Sequence, residues 1–269
     1  MTSAYPNPPP TDDSLPPLPE AVRTTLAGLR IGCVGYLNAR PLIAPWEGPV
    51  HFDHPAPLAR ALVKGTLDVA LVPVFEALRN PGFPIVDGVA IAADGPVWSV
   101  FVAWQKSLRD IVLDPASLTS ANLCRVLLEG SNFHPGGGII PDSTARLLIG
   151  NQAIEFRRIH GNAYRYLDLA QEWKKRTGLP FVFAVWLLRP ELPNPEAVAE
   201  AFRQLALEGR GAIPQLAARE ADPDFARRYL GEYLSYDLGE AEKEGLAFYR
   251  QLLVLNGRLP SGREPLRWV

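Results

Sequence analysis

PAPLARALVKGTLDVALVPVFEALRN, residues 55–80, holds a helix around Leu58–Lys64, a glycine stop at Gly65 and a short buried strand, DVALVPV, over 68–74. Helix, glycine, acidic residue and apolar strand in that order are what a βαβ crossover requires. The stretch therefore predicts an α/β chain built on a parallel sheet. Upstream, RIGCVGYL (30–37) is a short β-rich run, and downstream PIVDGVAIAADGPVWSVFVAWQ (84–105) supplies further strand with DGP as a turn. The middle repeats the logic: DIVLD as strand, PASLTSANLCRVLLEG as a loop running into a helix, FHPGGGIIPDSTA as loop and RLLIG as buried strand. YRYLDLAQEWKKRTG then reads as an amphipathic helix stopped by Gly178, LPFVFAVWLLRP as an aromatic-rich strand, and everything from Pro195 onward as helical.

Two long strand candidates, PVWSVFVAW (96–104) and PFVFAVWLL (180–188), bracket the middle region. A chain that enters and leaves a second lobe through paired extended segments is wired as a two-lobed, hinged α/β protein. The expected division is residues 29–100 plus 186–269 for the first lobe and 101–185 for the second. Residues 1–28, with seven prolines in the first 19, are expected to be a disordered leader. A ligand would then lie in the cleft between lobes, at strand C-termini and helix N-termini.

Bulk properties narrow the function. A formal net charge of -2 argues against nucleic acid or an anionic membrane as partner, yet leaves room for an anionic small molecule held by local donors. No window of about 18 apolar residues exists to span a bilayer. The leader lacks the basic start and apolar core of a secretory signal, so a cytoplasmic location is expected. Cys33 and Cys124 stand far apart with no CxxC, which suits two buried thiols in a reducing compartment. HxxH at His51 and His54 has no further ligand nearby, HPGGG at 134–138 does not join a strand to a helix, and GxSxG is absent. A metal site and a dinucleotide-binding loop are therefore not expected. A homodimer is admitted but not specified.

The candidate site residues come from three places. In VGYLNARPL (34–42), Tyr36, Asn38 and Arg40 alternate just past the first strand. If the segment stays extended to Pro41 they share one side, toward a cleft; turn formation by Asn38 and a solvated or ion-paired Arg40 are the plain alternatives. Ser117, Thr119 and Ser120 precede a helix, where hydroxyls and free N–H groups hold a carboxylate or phosphate, or simply cap the helix. Ser99 lies within the first crossing strand and either points into the cleft or is structural. Asp168 and Glu172 read as a solvated helix face.

VGYLNARPL, LVKGTLDVALVPVFEAL, DGPVWSVFV, LDPASLTSANLCRVLL, RLLIGNQAI and above all LDLAQEWKKRTGLPFVFAVW together resemble the chorismate dehydratase family of the futalosine route to menaquinone, over about residues 30–190. The resemblance implies the two-lobed fold of type II periplasmic binding proteins and a cytoplasmic lyase that removes water from chorismate without a cofactor. It implies catalytic roles for Asn38 and Ser99 and a substrate-carboxylate site at Ser117, Thr119 and Ser120, with Tyr36, Arg40 and Asn151 beside the substrate. Asn151 stands where the family usually shows Asp, and the glycine-rich connection is shorter than usual. Those departures keep two alternatives in view: a non-catalytic carboxylate-binding protein of the same fold, and a sister enzyme acting on a dehypoxanthine futalosine-type substrate.

Overall fold

The computed structural model describes residues 15, 17–114, 118–136, 144–262 and 264–269. In chain order the strands are β1 (Ile31–Cys33), β2 (Val50–Phe52), β3 (Val69–Pro73), β4 (Ile85–Ala93), β5 (Val100–Trp104) and β6 (Asp110–Leu113). They continue with β7 (Asn132–Pro135), β8 (Ala145–Ile149), β9 (Arg165–Asp168), β10 (Phe181–Leu188) and β11 (Ser235–Leu238). The helices are α1 (Glu20–Leu26), α2 (Pro55–Val63), α3 (Val74–Arg79), α4 (Leu118–Leu127) and α5 (Gly150–His160). After them come α6 (Leu169–Thr177), α7 (Pro195–Gly211), α8 (Ile213–Ala217), α9 (Pro223–Arg228) and α10 (Glu240–Leu255).

The strands form two sheets, ordered β11-β4-β10-β3-β1-β2 and β7-β6-β8-β5-β9. The βαβ reading of residues 55–80 holds locally, since β1 pairs parallel with both β2 and β3. The sheets are nevertheless mixed: β10 runs antiparallel between β3 and β4, and β5 antiparallel between β8 and β9. Those antiparallel strands follow directly from the two crossings, because a chain that leaves one sheet and returns reverses its direction.

Four sequence expectations need correction. Residues 17–28 are not a disordered leader: α1 buries Val22 and Leu26 against α7, and Leu18 joins the core. The second crossing comes earlier than residue 185, because all of β10 pairs within the first sheet; its nearly continuous apolar run is that of a central strand buried on both faces. The helix expected over YRYLDLAQEWKKRTG starts only at Leu169. Asp168 caps it by accepting the N–H groups of Ala170 and Gln171, which leaves Arg165–Asp168 to pair as β9. β7 and β11 were read as loop and helix; both are short edge strands without room for a period-2 pattern. No helix among the described residues is long and apolar enough to cross a membrane.

Two carboxylates organise the fold around the cleft. Asp68, at the start of β3, accepts from the Arg30 backbone N–H (3.0 Å) and from the Arg30 guanidinium (2.9 and 2.7 Å), with Arg189 at 3.2 Å. It thus ties the chain entering β1 to the chain leaving β10. The second, Asp168, accepts from Val97 (3.0 Å) and Trp98 (2.7 Å) through one oxygen, and from Ala170 and Gln171 (both 3.1 Å) through the other. Trp98 has φ +65, a left-handed conformation costing about 1–3 kcal/mol for a bulky residue. Hydrogen bonds to a charged acceptor contribute roughly 1.5–3 kcal/mol each, enough to hold the strained crossing.

Hydrogen bonding from Arg30 holds the Asp68 carboxyl at about 2, below its ordinary 3.8. The stabilisation is therefore present above 3.8 and lost as pH falls toward 2. Asp68→Asn should cost about 1 kcal/mol near neutrality, a drop of about 2–4 °C in thermal midpoint. The gap from the parent should close between pH 3.8 and about 2 when both are melted across that range. Asp168→Asn leaves one oxygen for four N–H donors and should cost about 1–3 kcal/mol in urea unfolding with an unchanged m-value; an unshifted midpoint would show that those donors find other partners.

Candidate active site

Between the two sheets lies a cavity of about 70 Å³. Its floor is apolar, from Val72, Ile91 and Phe183 of the first sheet and Val100 and Ile149 of the second. Around its rim the chain repeatedly starts a helix. Tyr36 precedes the 3₁₀ turn Leu37–Leu42, Pro55 opens α2, Pro73 precedes α3, Ser120 is in the first turn of α4, and Gly150 opens α5. The positive ends of peptide dipoles therefore converge on one space, and among the described residues no charged side chain lines it.

The segment carrying Tyr36, Asn38 and Arg40 does not stay extended. Leu37–Leu42 is a 3₁₀ turn, closed by hydrogen bonds such as Ala39 N–H to Tyr36 O (3.1 Å) and Ile43 N–H to Arg40 O (3.1 Å). Pro41 sits comfortably inside it, its fixed φ suiting the turn. With three residues per turn, Arg40 swings away from Asn38 and pairs with Glu220. Burial of Leu37, Ala39 and Leu42 decides this local structure over the alternation seen in the sequence. The turn is pressed onto α7 so closely that a Cβ on Gly209 would overlap the Pro41 carbonyl oxygen.

Tyr36 and Asn38 still reach the cavity. The Tyr36 ring covers Gly150, whose φ of +59 favours glycine and where an added Cβ would sit a tight 3.3 Å from the ring. Burial, reinforced by the charge of Asp114, pushes the Tyr36 phenol up to about 12, so it is a neutral donor. Neither the Tyr36 hydroxyl nor Asn38 Oδ1 has a hydrogen-bond partner among the described residues, and both atoms are buried. Across the space, Ser99 is fully buried at the cavity wall and its Oγ accepts from the Tyr229 hydroxyl at 2.7 Å. Ser120 lines the same wall.

The remaining candidates divide. Thr119 turns inward, where its Oγ1 accepts the Phe75 N–H at 3.0 Å, so it holds the first turn of α3 and not the cavity surface. Ser117 lies outside the described residues. Asn151 Oδ1 accepts the Leu37 N–H at 3.0 Å, tying α5 of the second lobe to the 3₁₀ turn of the first. An amide oxygen fills that role as well as a carboxylate would, so the Asn-for-Asp departure removes no acceptor here. The two residues sequence reasoning missed are Asp168 and Tyr229. D-L-A-Q at 168–171 has the spacing of a capping box, a signal that was present; Tyr229 carried none.

A second cavity, about 420 Å³, adjoins the first. Leu37, Trp98 and Asn151 line the larger space, while their neighbours Tyr36, Asn38, Val97, Ser99 and Gly150 line the smaller. Three chain segments thus form one partition. Trp98 is fixed on it by stacking on Tyr233 (5.6 Å) and by the Arg157 guanidinium 3.8 Å above its ring.

A family model described as menaquinone biosynthesis matches residues 29–254. The chain is 30% identical over 258 residues to a chorismate dehydratase of Thermus thermophilus, covering 84% of this chain and 95% of that protein. A chorismate dehydratase of Campylobacter jejuni is 26% identical, covering 78% and 87%. Among solved structures, a protein of Archaeoglobus fulgidus superposes with a TM-score of 0.63 at 16% identity, covering 85% of this chain and 97% of that one. The periplasmic aliphatic sulphonate binding protein SsuA of Escherichia coli gives 0.59 at 13%, covering 87% and 88%. At those identities the structures establish the fold alone, which is that of periplasmic binding proteins. On that fold, with the family model spanning most of its length, the chain belongs to the menaquinone-biosynthesis family.

Proposed function

We propose that this chain is a chorismate dehydratase, a carbon–oxygen lyase of the cytoplasm that converts chorismate to 3-[(1-carboxyvinyl)oxy]benzoate and water. One observation carries the reading onto this molecule. Asn38 and Ser99, two residues the family resemblance marks, come from distant chain segments and meet at a single interlobe space with no charged side chain among its described lining residues. Chorismate carries two carboxylates, and the converging helix starts with Tyr36 and Ser120 offer neutral donors for them.

The chemistry asks little of the protein beyond placement. The ring carbon bearing the enol ether gives up its proton, its neighbour gives up hydroxide, and the electron pair of the broken C–H bond completes the aromatic ring. The protein holds the substrate with proton and leaving group disposed for elimination and donates hydrogen bonds to the departing oxygen. Among the described residues the only titratable side chain in the cavity lining is the Tyr36 phenol, which burial keeps protonated. The base is then the substrate's own enolpyruvyl carboxylate. An analogue without that carboxylate should bind and fail to eliminate, and elimination at an undiminished rate would refute this assignment. The non-catalytic alternative leaned on Asn151, and the Leu37 N–H that Asn151 accepts takes that support away.

Purified protein incubated with chorismate should yield the aromatic enol ether, followed by chromatography. Thermal protection by chorismate with no product would replace catalysis by binding. Asn38→Ala should lower kcat by about 10²-fold with the melting temperature unchanged, as for loss of an oriented polar group acting on the departing oxygen; unaltered kinetics would remove Asn38 from the site.

A further inference from the structure

Ser99 reaches the cavity, but what fixes the direction of its hydroxyl lies behind it. Tyr229 is fully buried and does not line the cavity, yet its hydroxyl stands 2.7 Å from Ser99 Oγ. The Asn38 side chain also hydrogen-bonds the Tyr229 phenolic oxygen. One buried hydroxyl from the C-terminal region therefore touches both residues assigned to the reaction.

The local backbone is built to put it there. Tyr229 opens a π-helical turn, Tyr229–Tyr233, in which the Leu234 N–H bonds back to the Tyr229 carbonyl at 3.2 Å. Such turns are rare and concentrate at functional sites. This one directs Leu234 into the cavity lining and Tyr229 against its back wall. The Tyr229 ring lies parallel to Phe225 at 5.7 Å, and Phe225 meets the edge of Trp98 at 6.1 Å. The phenol is thus fixed to the same strained crossing that presents Ser99.

We propose that Tyr229 is a positioning residue: its O–H donates to Ser99 Oγ, so that the Ser99 proton is directed away from the protein and toward the substrate. A serine hydroxyl has one proton and two lone pairs. With a lone pair committed to Tyr229, rotation about Cβ–Oγ is restricted. No other described residue accepts from Ser99, which leaves the cavity as the direction for its proton. Asn38, touching the phenol oxygen through one amide N–H, is restrained in the same step and keeps its second N–H for the departing oxygen. A phenol is the better donor of the two hydroxyls, which sets the sense of the chain as Tyr229 to Ser99 to substrate.

This inference rests on the chorismate reading, and a double-mutant cycle separates the two. Tyr229→Phe keeps the ring and its stack on Phe225 and removes only the hydroxyl. It should reduce kcat about tenfold with KM nearly constant, the size of one hydrogen bond made in the transition state, and lower the melting temperature by only about 2–4 °C. In a Ser99→Ala background the same substitution should change kcat by less than about twofold, because the group it orients is gone. Equal losses in both backgrounds, or no loss in the parent, would overturn the positioning role. Should Tyr229→Phe fail to fold, 3-fluorotyrosine at 229 keeps size and hydroxyl; it should alter kcat in the parent and not in Ser99→Ala, and the same alteration in both would overturn the proposal. Turnover by the unaltered protein is the control. If it is absent, the dehydratase reading falls, and the cycle is read on chorismate-induced thermal shifts, where additivity would overturn the coupling in the same way.

Discussion

The Asp168 carboxylate is the constraint on which the site depends. It sits where β9 ends and α6 begins in the second lobe, yet two of its four hydrogen bonds reach the crossing from β4 to β5. One side chain thereby starts a helix and holds Trp98 in a conformation the residue would not adopt unaided. Around the kink Val97 and Ser99 line the inner cavity and Trp98 the outer one, and Val100 follows Ser99 into the inner lining, so the strict alternation of an extended strand is broken at Ser99–Val100.

The electrostatics of the cavity follow from what has been kept out of it. Two arginines stand close by, and both are engaged elsewhere: Arg40 with Glu220, and Arg157 over the rings of Trp98 and Tyr166. What remains is peptide dipole, amide and hydroxyl. Fixed neutral donors need no reorganisation as charge moves within a bound anion, whereas a mobile guanidinium would follow the most concentrated charge of the ground state. A protein of net charge -2 can hold a dianion on these terms because the field that matters is set within one helical turn of the ligand.

The two-lobed architecture was legible because it depends on coarse patterns: glycine-stopped helices, buried apolar strands and two long crossing segments. Asn38 and Ser99 were expected at a ligand cleft through the family resemblance, and both line the inner cavity. The alternation of Tyr36, Asn38 and Arg40 misled about local structure. A 3₁₀ turn has little sequence signature, and its choice here is made by packing of Leu37, Ala39 and Leu42 and by the close approach of Gly209. Thr119 shows the reverse failure. Its place before a helix suited anion binding, but the hydroxyl answers a backbone N–H of another helix, a long-range partner no local pattern reveals. Tyr229 belongs to the same class, 130 positions from Ser99.

The volumes of the two cavities bear on how a ligand is taken up. The inner space of about 70 Å³ is well below the roughly 300–1,000 Å³ of ordinary ligand pockets, while the outer one, about 420 Å³, falls within that range. A ring with two carboxylates that reaches Asn38 and Ser99 must therefore displace the partition of Leu37, Trp98 and Asn151. The three members are not equally fixed. Trp98 is held by Asp168, Tyr233 and Arg157, whereas Leu37 and Asn151 are joined across the lobes by one hydrogen bond. A single neutral hydrogen bond contributes about 1 kcal/mol net, less than the restraints on Trp98 together. Measured by polar contacts, Leu37–Asn151 is therefore the more weakly tied part of the partition and Trp98 the more firmly tied one.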